Sequence, residues 1–204
     1  MSKFAFVDVE TTGLDAEKHG IWQIAMMIEI DGTLVHQQCW NVQPYRRDLM
    51  NTEALAKGHM THETLETFPE PGQVKAEIEA VLDRFVKKRN KADKLHFVGY
   101  NSLAFDYPFL RHWWEKAGDP YFGSWFWHPS LDVMVLAGYY CAEVRHQLVN
   151  FKLHNVAQQI MGVPIDETQA HDAMYDIGIT RDLFHHMRAP LIALWASPPE
   201  EVKA

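Results

Sequence analysis

Residues 3 to 9 read KFAFVDV, a short run dominated by apolar and β-branched side chains, and residues 21 to 29 read IWQIAMMIE, a second apolar run. Both predict strands, the second bounded by Gly20 and by the pair Asp31-Gly32. An Asp-Gly pair suits a tight hairpin turn, so residues 34 to 42 are expected to return antiparallel. Three antiparallel strands therefore open the chain. The period then changes. Residues 52–57 and 73–88 predict helices, the latter with Val74, Ile78, Val81, Leu82 and Phe85 on one face. Residues 95–100 predict a buried strand, and 103–116 a helix that ends before Gly118-Asp119-Pro120. From Ser130, the segment SLDVMVLAGYY starts extended and becomes helical, and residues 152–161 and 171–187 are two further helices.

Early strands followed by alternating helices predict an α/β fold, a mixed sheet in which a three-stranded antiparallel meander is extended by parallel strands and flanked by helices. In such open sheets, side chains from separated segments converge at strand ends, which is where a site is expected. The expected division is one domain over residues 1–188 and a C-terminal tail over 189–204, loosely held past Pro190 although Leu191, Ile192, Leu194 and Trp195 can dock on the body.

Composition narrows this further. With 204 residues, 47% hydrophobic content and seven tryptophans, the chain can bury one sizeable core. No apolar run approaches the roughly 20 residues that span a bilayer, and no signal-peptide pattern opens the sequence, so a soluble, cytoplasmic protein without membrane contact is expected. Cys39 and Cys141 stand far apart in no paired motif; neither a disulfide framework nor a thiolate zinc site is indicated, and both are expected to be buried. The formal net charge of −8 disfavours a protein that coats nucleic acid by phosphate neutralisation alone. Bound cations can meet phosphates instead, supplying the charge that the side chains lack. Basic stretches at Arg46-Arg47 and at Lys87-Lys88-Arg89 with Lys91 are present, the second read first as a solvated helix end and otherwise as a strand guide.

The chemistry concentrates in three places. Asp8-Val9-Glu10-Thr11-Thr12-Gly13-Leu14 ends the first strand. Alternate side chains of a strand share a face, so Asp8 and Glu10 project together and Val7 and Val9 project oppositely. Such a pair is costly unless cations or partners neutralise it, although two acids at a strand end can also simply face water. A calcium loop fails on the letters, because His19 stands where the bidentate Glu would be needed. The second place is Phe97-Val98-Gly99-Tyr100-Asn101 followed by Phe105-Asp106, where a strand leads to an acid near a helix start. The third is His171-Asp172-Ala173-Met174-Tyr175-Asp176, in which Asp176 is favoured as a ligand and Asp172 either as structural or as a support behind the ligands. His59 and His62, three apart, lack further ligands for a metal. Among the aromatics clustered from Trp113 to Trp127, the loop set Phe122 to Trp127 is the candidate base platform or lid, and Trp113 and Trp114 are expected in the core.

In this order and spacing, DVETTGL, GYNSLAFD and HDAMYD resemble the three motifs of the DEDDh branch of the DnaQ-like 3′→5′ exonucleases. The resemblance extends from residue 4 to about residue 187, including residues 51–63 and 152–163 between the motifs. It implies a ribonuclease H-like fold, metal ligands at Asp8, Glu10, Asp106 and Asp176, and a general base at His171. It also implies two divalent cations, Mg²⁺ or Mn²⁺, and places Thr11, Thr12, Leu14, His59 and Asn101 beside the substrate. The implied reaction is hydrolysis of a single-stranded 3′ end, DNA favoured, to nucleoside 5′-monophosphates. Carboxylates suit these hard cations, and a neutral histidine can take the proton of an attacking water. RNA trimming and a catalytically silent nucleic-acid-binding subunit are the alternatives; a homodimer or a replication partner is left open. A metal-free hydrolase is disfavoured by the lack of a G-x-S-x-G elbow.

Overall fold

In the computed structural model, residues 2–166 and 172–196 are described. Three strands, β1 (Lys3–Thr11), β2 (Ile21–Ile30) and β3 (Thr33–Asn41), form the antiparallel meander. The turn between the last two carries Asp31 at φ 49° and Gly32 at φ 82°, the paired positive values that a tight hairpin demands. Three helices follow, α1 (Thr52–Lys57), α2 (His62–Glu66) and α3 (Pro71–Leu82), then β4 (His96–Gly99) and α4 (Asp106–Lys116). The chain continues through β5 (Leu131–Asp132), α5 (Val133–Tyr140), α6 (Leu153–Met161) and α7 (Ala173–Ala196).

The sheet order is β3-β2-β1-β4-β5, with β4 parallel to β1 and β5 parallel to β4. This is the mixed sheet expected from the sequence. The two-residue period of β1 divides the core. Ala5, Val7 and Val9 pack with α3, α4 and the buried aromatics of the 122–126 segment, whereas Phe4 and Phe6 face α6 and α7. Trp22, Leu55 and Leu65 form a smaller cluster that holds α1 and α2 against the meander. Among the described residues no helix is long and apolar enough to cross a membrane.

Several local expectations are corrected. Helix α3 starts at Pro71, whose fixed φ suits a first helical turn, and ends at Leu82 instead of running to Lys88. The chain then turns inward, and the Phe85 carbonyl accepts a hydrogen bond from Lys3 Nζ at 2.7 Å. The basic stretch therefore follows a turn, with Lys88 paired to Glu79 and lying 4.4 Å over the Trp125 ring. Helix α7 continues past Pro190 to Ala196, since a proline removes one backbone donor without forbidding helical geometry beyond it. Cys141 is buried as expected but Cys39 is exposed, because alternation along β3 sends it to the outer face. Phe122, Trp125 and Phe126 are core side chains stacked near Phe97 and Trp114, so the predicted base platform is largely hidden. Truncating one of these buried rings would cost about 3–5 kcal/mol.

Candidate active site

Strand β1 outlasts its parallel neighbour. Its pairing with β4 spans Phe4 to Phe6, so the Val9 N–H lies beyond that pairing. Asp106 Oδ1 accepts it at 3.0 Å, docking the first residue of α4 onto the strand that carries Asp8 and Glu10. The turn delivering Asp106 is tightly built. A Cβ on Gly99 would come within 2.9 Å of the Val7 carbonyl oxygen, so glycine permits the close approach of β4's end to β1. Asn101 follows at φ 59°, and buried Asp132 holds the turn by accepting from the Asn101 and Leu103 amides, both at 3.0 Å. These anchors explain why α4 begins at Asp106 and not at Leu103.

Asp176 arrives from the opposite layer, in the first turn of α7. Asp172 Oδ1 accepts the Tyr175 N–H at 2.9 Å and so caps the helix start. Asp176 Oδ1 lies 2.7 Å from His154 Nε2 on α6.

Asp8, Glu10, Asp106 and Asp176 thus line one cavity of about 550 Å³. No lysine or arginine forms an ion pair with any of the four among the described residues; the one basic side chain that contacts them there is His154, at Asp176. The electrostatic consequence follows. Burial and then the Asp106, Glu10 and Asp176 carboxylates push the Asp8 pKa well above the usual range, even though the side chain keeps some solvent contact. Glu10 is pushed up to about 8 by burial, then by Asp176 and Asp106. Asp106 is pushed up to about 7 by burial, with the Val9 N–H pulling the other way. A crowd of hard oxygen donors starved of positive charge fits a hard divalent cation in donor type and in charge. As placed, no three His, Cys, Asp or Glu side chains among the described residues converge on one point, since Asp106 and Asp176 each direct an oxygen to a protein donor.

The other expected site residues divide. Thr11, Leu14 and Asn101 line the cavity, Leu14 with 85% of its surface exposed. Thr12 does not; it is fully buried, its hydroxyl donating to the Leu49 carbonyl and accepting the Gly20 N–H. His59, exposed at φ 54° beside Gly58, stands next to the wall without lining it. His171 lies outside the described residues. Sequence reasoning missed Asn51, whose N–H reaches the Thr12 carbonyl and whose side chain caps α1, bringing Lys57 and Gly58 to the cavity. It also missed Tyr100, Phe105 and His154; the last has no local signal, since only the packing of α6 on α7 brings it to Asp176.

A family model described as Exonuclease matches residues 5–184, and the chain belongs to that family, within the DnaQ-like, ribonuclease H-like superfamily of 3′→5′ exonucleases, whose members use divalent metal ions. Ribonuclease T of Shewanella sp. (strain ANA-3) is 30% identical over 200 residues, covering 89% of this chain and 79% of that protein. Ribonuclease T of Shewanella denitrificans is 31% identical over 196 residues, covering 89% and 78%. Among solved structures, E. coli exonuclease I in complex with a dT13 oligonucleotide superposes with a TM-score of 0.71 at 19% identity, over 96% of this chain and 43% of that one. The zinc-bound form of the E. coli exonuclease I–single-stranded DNA complex gives 0.73 at 20% identity, over 96% and 42%. The chain therefore spans less than half the length of these exonuclease I chains.

Proposed function

We propose that the chain removes nucleotides one at a time from single-stranded 3′ ends, with Asp8, Glu10, Asp106 and Asp176 holding two divalent cations and His171 acting as general base. The observation that carries the reading is that the four carboxylates line one cavity and that, among the described residues, no lysine or arginine is bridged to them. Two cations held by Asp8, Glu10, Asp106 and Asp176 would supply Lewis-acid stabilisation of the scissile phosphate and would lower the pKa of an attacking water. The chain's own residues supply the rest. The Val9 amide anchors Asp106 and His154 anchors Asp176 at the wall of the cavity that Asp8 and Glu10 also line. Leu14 offers an exposed apolar side chain against a terminal base, and Asn101 offers an amide beside the backbone. His171, five residues before Asp176 in the sequence, takes the water's proton in this reading and passes it to solvent.

DNA is the first substrate of this reading, because in exonuclease I the same fold accommodates a dT13 oligonucleotide. A second reading, trimming of RNA, is favoured by the curated relatives, which carry the name ribonuclease T. End-labelled single-stranded DNA and RNA of one sequence, each with a free or blocked 3′ end, are offered to the protein with Mg²⁺, Mn²⁺ or EDTA. Metal-dependent ladders from free 3′ ends are expected, and their relative rates assign the sugar. Internal cuts, cleavage in EDTA, or no cleavage by folded, metal-bound protein would overturn the reading, the last in favour of a silent binding subunit.

A further inference from the structure

The loop that joins β1 to β2 places His19 on the wall of the acidic cavity, which Gly13, Leu14 and Asp15 of the same loop also line. Its backbone is held firmly. The His19 N–H donates to the Asp15 carbonyl at 2.8 Å, the His19 carbonyl accepts from Lys116 Nζ at 3.2 Å, and the residue bridges to Leu49. The imidazole lies against Gly13. A Cβ on Gly13 would fall 2.1 Å from His19 Cδ2 and 2.4 Å from Nε2, and the Gly13 backbone does not have a positive φ. The glycine that follows the two threonines therefore makes room for the ring of His19 and does not serve a left-handed turn.

Hydrogen-bond accounting sets the polarity of that ring. Nδ1 lies 3.2 Å from the Asp15 amide nitrogen and 3.1 Å from the Asp15 carbonyl oxygen. The oxygen already accepts from the Lys18 and His19 amides, at 3.1 and 2.8 Å, whereas the Asp15 N–H has no other acceptor among the described residues. Nδ1 therefore accepts, and the hydrogen of the neutral ring sits on Nε2; a protonated ring carries one there as well. Nε2 has no protein partner among the described residues and keeps solvent contact. His19 thus holds an N–H donor at the cavity, on the loop that also carries the exposed Leu14.

We propose that His19 Nε2–H donates to the base of the terminal nucleotide at the one acceptor whose position all four bases share, N3 of a purine or O2 of a pyrimidine. The proposal rests on the reading of this cavity as the site of the terminal nucleotide, with Leu14 against its base. A donor fixed by the backbone would favour some bases over others at the Watson–Crick or major-groove edge, because those edges differ from base to base. The N3/O2 position, beside the glycosidic bond, carries an acceptor in every case. His19 grips each new terminal base without reading the sequence, as removal of one nucleotide after another requires.

Deleting the acceptor from the substrate tests the contact. Two oligonucleotides differ only at the 3′ terminus, adenosine in one and 3-deazaadenosine, with C–H in place of N3, in the other; both carry the sugar that the enzyme cuts faster. Wild-type kcat/KM for removal of the first nucleotide is expected to fall roughly five-fold on the deaza end, the size of one neutral hydrogen bond. His19→Ala, checked for an unaltered melting transition, should cut both ends at the same reduced rate, and His19→Gln, which keeps a donor, should recover part of the discrimination. A terminal 7-deazaadenosine, altered only at the major-groove edge, should be cut like adenosine by all three proteins. Wild-type protein indifferent to the loss of N3, or a His19→Ala variant slowed on both ends but still five-fold apart, would overturn the contact and leave the exonuclease reading standing. Wild-type protein inactive on every free 3′ end in Mg²⁺ and Mn²⁺ would overturn that reading and this proposal with it.

Discussion

His154 Nε2 and Asp176 Oδ1 lie 2.7 Å apart, tying α6 to α7 at a carboxylate of the acidic site. The ring is further held edge-on to Tyr175 at 5.9 Å between centroids, so its orientation is fixed by packing as well as by the acid. A residue that orients a metal ligand typically contributes ten-fold or more to metal affinity. His154→Ala is therefore expected to weaken Mn²⁺ binding roughly ten-fold, measured by titration of the metal against the protein without substrate, while His154→Gln recovers part of the loss. Identical affinities in all three proteins would show that the contact gives way once metal binds.

A buried like-charge cluster implies that activity and metal-free stability oppose one another here. Asp8 stands amid four other carboxylates, those of Asp106, Glu10, Asp176 and Asp172, with burial the largest cause of its raised pKa. Asp8→Asn keeps the shape and removes the charge. In EDTA at pH 8 the variant is expected to be more stable by about 1–2 kcal/mol, a rise in Tm of roughly 2–8 °C for a chain of this size, while losing turnover in Mg²⁺. An Asn variant that melts lower than the parent in EDTA would mean that Asp8 is satisfied by partners other than metal.

Much of this frame is legible in the letters because it depends on local periods. The alternation through Val7, Asp8, Val9 and Glu10 places both acids on one face, and Asp31-Gly32 specifies the hairpin turn, since each follows from neighbours along the chain. What escaped depends on contacts distant in sequence. The end of α3 is set by how Phe85 and Val86 turn back toward Lys3, 82 residues away from Phe85. The aromatic segment reads as a platform by composition, yet Phe122 and Phe126 close the core beneath Phe97. Thr12 reads as a site residue by motif, yet its hydroxyl staples the Leu49 and Gly20 backbones. His154 announces itself by neither period nor motif.

The same acids set a pH dependence whose sign can be worked out. Burial and neighbouring carboxylates raise Glu10 from 4.5 to about 8, and burial raises Asp106 from 3.8 to about 7. The folded protein therefore binds more protons than the unfolded chain across that interval. Their contribution to stability is fully present below the ordinary carboxylate range and is lost as pH rises through about 7 to 8. In EDTA, Tm is expected to fall between pH 5 and pH 8. Saturating Mg²⁺ takes over from the protons, so it should raise Tm far more at pH 8 than at pH 5, and its binding at pH 7 should release protons detectable by calorimetry in buffers of different ionisation enthalpy. A flat profile in EDTA, or equal Mg²⁺ stabilisation at both ends, would contradict the placement of these carboxylates.

Glu29 sets the position of α7 from within the sheet. Its side chain is fully buried on β2, where the register shifts between Ile28 and Glu29, and Oε2 accepts from Arg181 Nη2 at 2.7 Å and His185 Nε2 at 2.9 Å. Arg181 lies five residues beyond Asp176 on the same helix, so this contact fixes the helix that delivers the fourth carboxylate. Removing one partner of a buried pair leaves the other uncompensated, at a cost of about 3–5 kcal/mol. Arg181 and His185 keep partial solvent access, which places Glu29→Ala near the lower end, about 3 kcal/mol. Glu29→Gln retains an acceptor and should cost less. Urea unfolding measures both, and Mn²⁺ titration of the folded variants tests the link to the site. If α7 is held in place by this contact, Glu29→Ala weakens metal binding as well as the fold; a loss of stability with unaltered affinity would confine Glu29 to the core.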